Sequence, residues 1–401
     1  MALLYGRKLT RLDLERRTGS LLQFGGIQAG TFSDGVERGI RFLEFRTGTG
    51  LQFKVLVDRA MDVGPFEFRG AALGWHSPTG FRHPSLHEYE GEGGLAWLRS
   101  MSGLMQTGGL DHTLFMDSDP SPHYVYEHRS AVKSSLHGRI GNIPARLTGW
   151  GESWQGDECT FWCEGVVTQA AVFGEDLQLH RRIEAKLGEN AFTVRDRVVN
   201  HGFYRTPHMF LYHLNVGYPV LDEGSEFVAP IRHTPWSSHA ADLRRQGVGY
   251  RTQPAPQQSF HEQVWEHSIV GDESGVVPVA VVNRGFDGGH GIGLMVEFRQ
   301  REFPCLFQWQ NLQEGMYGLG IEPSTNHVLG KPFAKERDEL RWLEHGEEFT
   351  YTTRFVVLED NAAIDAAVTR IHGIARQDPD EYPTITGRWD DLTLRATSRS
   401  T

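Results

Sequence analysis

Cysteine is scarce in this sequence. Three occur in 401 residues, Cys159, Cys163 and Cys305. An odd, sparse set argues against a disulfide framework and for a reducing compartment. Cys159 and Cys163 lie close together, but no second pair completes a zinc site, so they read as small buried hydrophobes. Long apolar runs are missing as well. No stretch approaches the roughly 18 residues that a membrane-spanning helix needs. The apolar start of MALLYGRKLTRLDLERR is too short for a secretory signal and passes directly into mixed charge. The expectation is a cytoplasmic protein with no membrane association. Positive charge is in deficit, 40 Lys and Arg against 51 Asp and Glu for a net charge of -11. A nucleic-acid-binding protein neutralises phosphates with clustered Lys and Arg, and no such cluster is present. The acidic excess reads as solubility. No internal repeat, low-complexity tract or obvious linker appears, and helical periodicity is rare.

What is abundant is the material of strands and turns: 46 glycines and 11% aromatic residues. Residues 349–357 place Phe349, Tyr351, Thr353, Phe355 and Val357 on one face. Residues 292–298 do the same with Ile292, Leu294, Val296 and Phe298. Residues 177–187 alternate through Leu177, Leu179, Ile183, Ala185 and Leu187, interrupted by Arg181. Period-two alternation of this kind predicts half-buried strands. The clearest helix is 361–376, with Ile364, Val368, Ile371 and Ala375 on one face and Asp360 or Asn361 at its start. It follows the last strong strand and should pack outside the β structure. A parallel α/β fold would need helices between successive strands. The expected fold class is therefore all-β, a large antiparallel β-sandwich with few peripheral helices. A single domain should span 1–376, followed by a polar tail over 377–401. The stretch 231–268, rich in Pro, Gln, His and Trp, reads as a long loop over one face.

Three segments set polar groups inside apolar runs. In LHGRIGNIPA (136–145), His137 precedes Gly138 and Arg139, a turn histidine or a ligand contact. In HMFLYHLNVGYPVLDEG (208–224), His213 and Asn215 share a strand face. A buried histidine there is either satisfied by Asn215 or serves as proton donor or acceptor. In NLQEGMYGLGIEPSTN (311–326), Glu322 ends a buried-strand pattern before Pro323. A carboxylate at such a place is costly unless paired or functional, and desolvation would suit it to general-base work. Upstream, Phe307 and Trp309 offer flat faces, either core or a wall for a sugar ring. His76, His83, His87 and His112 fall in a loop-rich region, but their spacing matches no standard ligand motif. No metal and no cofactor are expected.

The order of a histidine–glycine pair, a strand histidine and a glutamate–proline pair resembles the aldose 1-epimerase (galactose mutarotase) superfamily. The closer resemblance is to a bacterial branch of that family carrying a domain of unknown function, DUF4432. VDRAMDVG (57–64), GWHSPTG (74–80), GLMQTGGLDH (103–112), YHLNVGYPVLDEGS (212–225) and GLGIEPSTN (318–326) carry it, with HGRIGNIPA. The likeness runs from about residue 20 to residue 360, nearly the whole chain. It implies the mutarotase β-sandwich and a small-molecule sugar substrate. It implies Glu322 as catalytic base, His213 as catalytic acid and His137 as a sugar contact. The family's arginine-bearing GR-x-x-NRI strand is not found. GLMQTGGLDH stands roughly in its place and offers Gln106, Asp111 and His112 for substrate binding, together with Asn215 and Trp309. Arg59 could supply a cation there, or pair structurally with Asp58 or Asp62.

The activity so implied is interconversion of sugar anomers by acid–base catalysis. Two readings stand beside it: an isomerase, epimerase or lyase acting on a keto-sugar, and a non-catalytic sugar-binding protein. Fold alone does not choose among them. Assembly into a homo-oligomer is left open by the sequence.

Overall fold

The computed structural model describes residues 1–241, 243–247, 249–376 and 380–389. The alternating segments form strands, and every pairing between named strands is antiparallel. Eight of them make one sheet. Its order is Arg146–Gln155, Glu158–Ala170, Asp176–Lys186, Ala191–Asn200, Glu348–Leu358, Ile292–Arg299, Val276–Asn283 and Glu226–Val228. A six-stranded sheet runs Ile231–Ser237, Gln263–Ile269, Cys305–Asn311, Gly318–Ser324, Leu211–Val216 and Met105–Gly108. A five-stranded sheet is formed by residues 26–72, from Gly26–Thr31 to Ala71–Ala72.

The inner faces of these sheets share one apolar core. Phe53 of the five-stranded sheet stacks on Phe192 of the eight-stranded sheet at 4.5 Å, and Phe192 on Phe355 at 4.4 Å. Contacts of this kind hold the layers of a sandwich together. The residue that interrupts the alternation at 177–187 does not leave the core. Arg181 is buried on the inner face, between Asp196 at 2.6 Å and Asp62 at 2.7 Å.

The helix Asn361–Ile374 lies where the periodicity places it. The Asp360 carboxylate accepts from the Ala363 N–H at 2.8 Å, capping the first turn. Ile364, Ala367 and Ile371 cover Ala280, Val282, Met295 and Leu358 on the outer side of the eight-stranded sheet. That second apolar layer is why the strand at 292–298 is buried on both faces.

The stretch 231–268 departs from the expected loop. Its two ends are the paired strands Ile231–Ser237 and Gln263–Ile269, with register shifts between them. Those irregularities, together with Pro235, break the alternation that would have revealed the pair. Of the expected tail, residues 380–389 lie on the body. Ile385 bridges to Thr234, and Thr252 donates to the Glu381 carboxylate at 2.7 Å. The remainder of 377–401 lies outside the described residues.

Candidate active site

In the strand Leu211–Val216, Tyr212, Leu214 and Val216 point into the core. Side chains alternate across a strand, so His213 and Asn215 point to the outer face of the six-stranded sheet. Sheet register then assembles a row. Glu266 lies opposite Phe307, Phe307 opposite Glu322, and His213 opposite Gln106. The register that pairs Leu214 with Ile321 also sets His213 against Glu322. The next row holds Val264, Trp309, Gly320 and Asn215.

His213 Nε2 lies 3.3 Å from Glu322 Oε1, and both side chains are buried. Gly320 is the floor beside them. A Cβ there would come within 3.0 Å of Trp309 Cβ, 3.1 Å of His213 Cε1 and 3.3 Å of Glu322 Oε1. His137 enters from the loop above, its ring 5.6 Å from that of His213. It has φ of 56°, an uncommon conformation for a residue with a Cβ. Gly138 follows at φ of 75°, and a Cβ there would lie 2.4 Å from the carbonyls of Gly109 and His112. Only glycine fits, and the close approach aims His137 at the dyad. The site is roofed rather than open. Trp97 tilts over His137 at 4.5 Å and His213 at 5.2 Å, and Trp309 stands against His213 at 5.4 Å with Trp75 edge-on behind it at 5.6 Å.

The hydrogen bonds place the proton. Asn215 Nδ2 donates to the Gly103 and His213 carbonyls, so Oδ1 is its acceptor end. His213 Nδ1 therefore donates to Asn215 Oδ1, at 2.6 Å. That leaves Nε2 of the neutral ring as an acceptor facing Glu322. Burial pushes the Glu322 carboxyl up to about 8, and the nearby Glu262 carboxylate adds to the effect. Burial pulls His213 down to about 3, partly offset by its bond to Asn215. His137 is held well below its ordinary value by burial, then by its histidine neighbours His213 and His112. Near neutrality Glu322 keeps its proton and His213 is uncharged, a pair sharing one proton.

Of the residues expected at the site, Glu322, His213, His137, Asn215, Gln106 and Trp309 come together. Gln106 donates to the Ser100 carbonyl at 2.8 Å, while its Oε1 is buried with no protein partner. The other three border the site and are held by partners of their own: His112 neighbours His137, and Arg59 shares the Ser100 carbonyl with Gln106. Asp111 accepts from Gln169 at 2.7 Å and faces His123. His112 Nε2 lies 2.8 Å from the Phe115 carbonyl. Arg59 pairs with neither Asp58 nor Asp62. Its three guanidinium nitrogens donate to the carbonyls of Gly141, Arg82 and Ser100, and Asp58 is taken by Arg41. His76, His83 and His87 form no cluster with His112 that could ligate a metal, among the described residues.

Three further groups went unread in the sequence: Trp75, Trp97 and Glu262. Trp75 lies in the GWHSPTG motif but carries no chemistry by itself, and Trp97 belongs to the short 3-10 turn Ala96–Arg99. Glu262 immediately precedes a strand hidden in irregular sequence. It accepts from Trp309 Nε1 at 2.6 Å and sits exposed at the rim.

A family model described as a domain of unknown function, DUF4432, matches residues 37–357. Among solved structures, a Klebsiella pneumoniae protein named as a candidate aldose 1-epimerase superposes with a TM-score of 0.77 at 25% identity, over 88% of each chain. A galactose mutarotase-like protein of Clostridium acetobutylicum gives 0.54 at 10% identity, covering 84% of this chain and 99% of that one. Galactose 1-epimerase of Lactobacillus acidophilus gives 0.50 at 13% identity, covering 84% and 100%. The shared fold is the galactose mutarotase-like sandwich. No curated protein matches the sequence significantly.

Proposed function

The chain belongs to the DUF4432 family, and on that premise we propose that it is a carbohydrate-active isomerase, an aldose 1-epimerase that interconverts sugar anomers by acid–base catalysis. The observation that carries this reading is the Glu322–His213 pair, one shared proton at 3.3 Å beneath an aromatic roof.

The anomeric hydroxyl and the ring oxygen are bonded to the same carbon. Ring opening removes a proton from the first and adds one to the second. Two groups side by side, with one proton between them, can do both. In one direction His213 Nε2 takes the hydroxyl proton while the Glu322 carboxyl protonates the ring oxygen. The carbonyl end then rotates about its bond to the next carbon. On reclosure the imidazolium returns its proton to the carbonyl oxygen, and the carboxylate takes the hydroxyl proton. The glutamate base and histidine acid that the family resemblance implies appear in the second half of the cycle, but with the oxygens exchanged, since the resemblance sets Glu322 at the anomeric hydroxyl and His213 at the ring oxygen. The proton count never changes, so either starting form serves.

Trp97, Trp309 and Trp75 supply apolar faces for a sugar ring. His137, the Gln106 Oε1 and Glu262 supply polar contacts for its hydroxyls. Among the described residues, the groups that shift Glu322 and His213 include no arginine or lysine, which suits an uncharged substrate.

The test is exchange between anomers across a panel of free sugars, followed by NMR. Glu322→Gln and His213→Asn should each lower the rate by about 10²–10⁴-fold, while sugar binding survives. The same panel in D₂O reads the rival chemistry. Exchange of a carbon-bound proton of a keto-sugar, dependent on Glu322 and without anomer exchange, would replace this reading with the isomerase or lyase one.

A further inference from the structure

We propose that Glu266, Cys305 and His327 form a binding site for a divalent transition-metal ion of the zinc class, which clips together the strands beside the catalytic pair. One ligating atom from each lies within 4.8 Å of the others. All three residues are buried, at 2%, 2% and 6% exposure. Each comes from a different strand or strand end of the six-stranded sheet. Glu266 lies within Gln263–Ile269, Cys305 opens Cys305–Asn311, and His327 follows Gly318–Ser324, the strand that bears Glu322. Glu266 and Glu322 flank Phe307 in one cross-strand row. An ion here would fix that row from its far end.

The donor set is a thiol, an imidazole and a carboxylate, which is chemistry for zinc or cobalt rather than for magnesium or calcium. Cys305 Sγ is 3.6 Å from His327 Nδ1. Tetrahedral zinc, with Zn–S of about 2.3 Å and Zn–N of about 2.0 Å, sets such a pair about 3.5 Å apart. His327 Nδ1 and Glu266 Oε1 are 2.5 Å apart. That contact must open to about 3.3 Å as the ion takes the place of the bridging proton. Binding removes two protons, one from the thiol and one from Nδ1, so thiolate and carboxylate balance the ion's charge.

The surroundings match those of a ligand set. Glu266 Oε2 is held by the Val328 N–H at 3.0 Å. His327 Nε2 is buried without a hydrogen-bond partner but faces Glu339 Oε2 at 3.8 Å. A carboxylate behind a metal-bound imidazole fixes its tautomer and orientation. The competing arrangement is metal-free, with an imidazolium at 327 between Glu266 and Glu339. In that arrangement the Cys305 thiol remains a neighbour of His327 Nδ1 at 3.6 Å and ligates nothing. The spacing of the donors along the chain gives no motif, which is why the sequence pointed to no metal.

Tag-free protein purified without chelator should contain about one equivalent of zinc by elemental analysis, retained on dialysis. Cys305→Ser and His327→Asn should lose it, with circular dichroism confirming that each variant folds. Protein stripped with chelator and reconstituted with Co²⁺ should show a thiolate-to-cobalt charge-transfer band in the near ultraviolet. Two results would overturn the site: wild-type protein that is metal-free and shows no such band with Co²⁺, or metal content unchanged in a folded Cys305→Ser variant. Neither readout depends on turnover, so failure here is distinct from failure of the proposed activity.

Discussion

At the scale of single residues, the shared proton makes the site's pH behaviour predictable. In the proposed reaction the pair works while it holds one proton. A second proton reaches His213 only near pH 3, and the last leaves Glu322 near pH 8. Turnover should therefore be flat through neutrality and fall as pH rises through about 8. Glu262→Gln removes a negative neighbour of Glu322 while keeping an acceptor for Trp309, so the alkaline limb should move to lower pH. A limb unmoved by that change would mean that the two carboxylates do not interact. The same shift is a statement about stability. A carboxyl ordinarily ionises near 4.5, and Glu322 near 8. Between those values the folded state holds a proton that the unfolded state releases, so its contribution is fully present below about 4.5 and is lost as pH rises through about 8. Glu322→Gln has no proton to lose. Its stability relative to wild type, read from melting curves, should rise from pH 5 to pH 8 by on the order of a few kcal/mol. A constant offset across that range would contradict a buried, protonated Glu322.

At the scale of elements, strands with clean alternation were legible and irregular ones were not. Glu348–Leu358 and Asp176–Lys186 show themselves because one face meets the core, and Ile292–Arg299 alternates in sequence although the outer helix buries its second face as well. Ile231–Ser237 hides because its pairing slips twice. His213 and Glu322 were legible as polar residues at buried strand positions, whose cost demands a reason. Trp97 and Glu262 were not, because their role comes from a short 3-10 turn and a connecting segment beside the sheet. The contrast between elements can be tested in pairs. Gly320→Ala would press a methyl group against His213 and Glu322 in the strand Gly318–Ser324. It should cost about 1–3 kcal/mol in overpacking and reduce turnover further than that loss alone explains. Asp360→Ala removes the cap of the outer helix Asn361–Ile374. It should cost about 1 kcal/mol and leave turnover unchanged. Equal activity in the two variants would mean that Gly320 is not the floor of the site.

At the scale of the whole molecule, the row that holds His213 and Glu322 is backed by charge that crosses the sandwich. Arg181, on the eight-stranded sheet, donates to Asp62 of the five-stranded sheet at 2.7 Å and to Thr107 of the six-stranded sheet at 2.9 Å. Tyr212, beside His213, donates to Asp196 at 2.5 Å, and Asp196 holds Arg181 through two further bonds. The sequence showed only an arginine in an apolar alternation. Its partners lie far off in sequence, so neither the pairing nor its position beneath the site could be read from it. Breaking such a network costs more than forming it returns, because the remaining charges stay buried. Arg181→Met fits the space but strands Asp62 and Asp196 in the interior, and should destabilise the fold by roughly 3–5 kcal/mol. Burial already holds the Asp62 carboxyl above its ordinary value, against the pull of Arg181. Without the arginine it should rise further. The folded variant would then retain protons that its unfolded state releases, and its stability should fall as pH rises. Melting curves of wild type and Arg181→Met should therefore lie closest at low pH and diverge toward pH 8. Arg181→Met combined with Asp62→Asn and Asp196→Asn should recover much of the loss and flatten that divergence. A single variant within about 1 kcal/mol of wild type at pH 8 would show that the network does not join the layers.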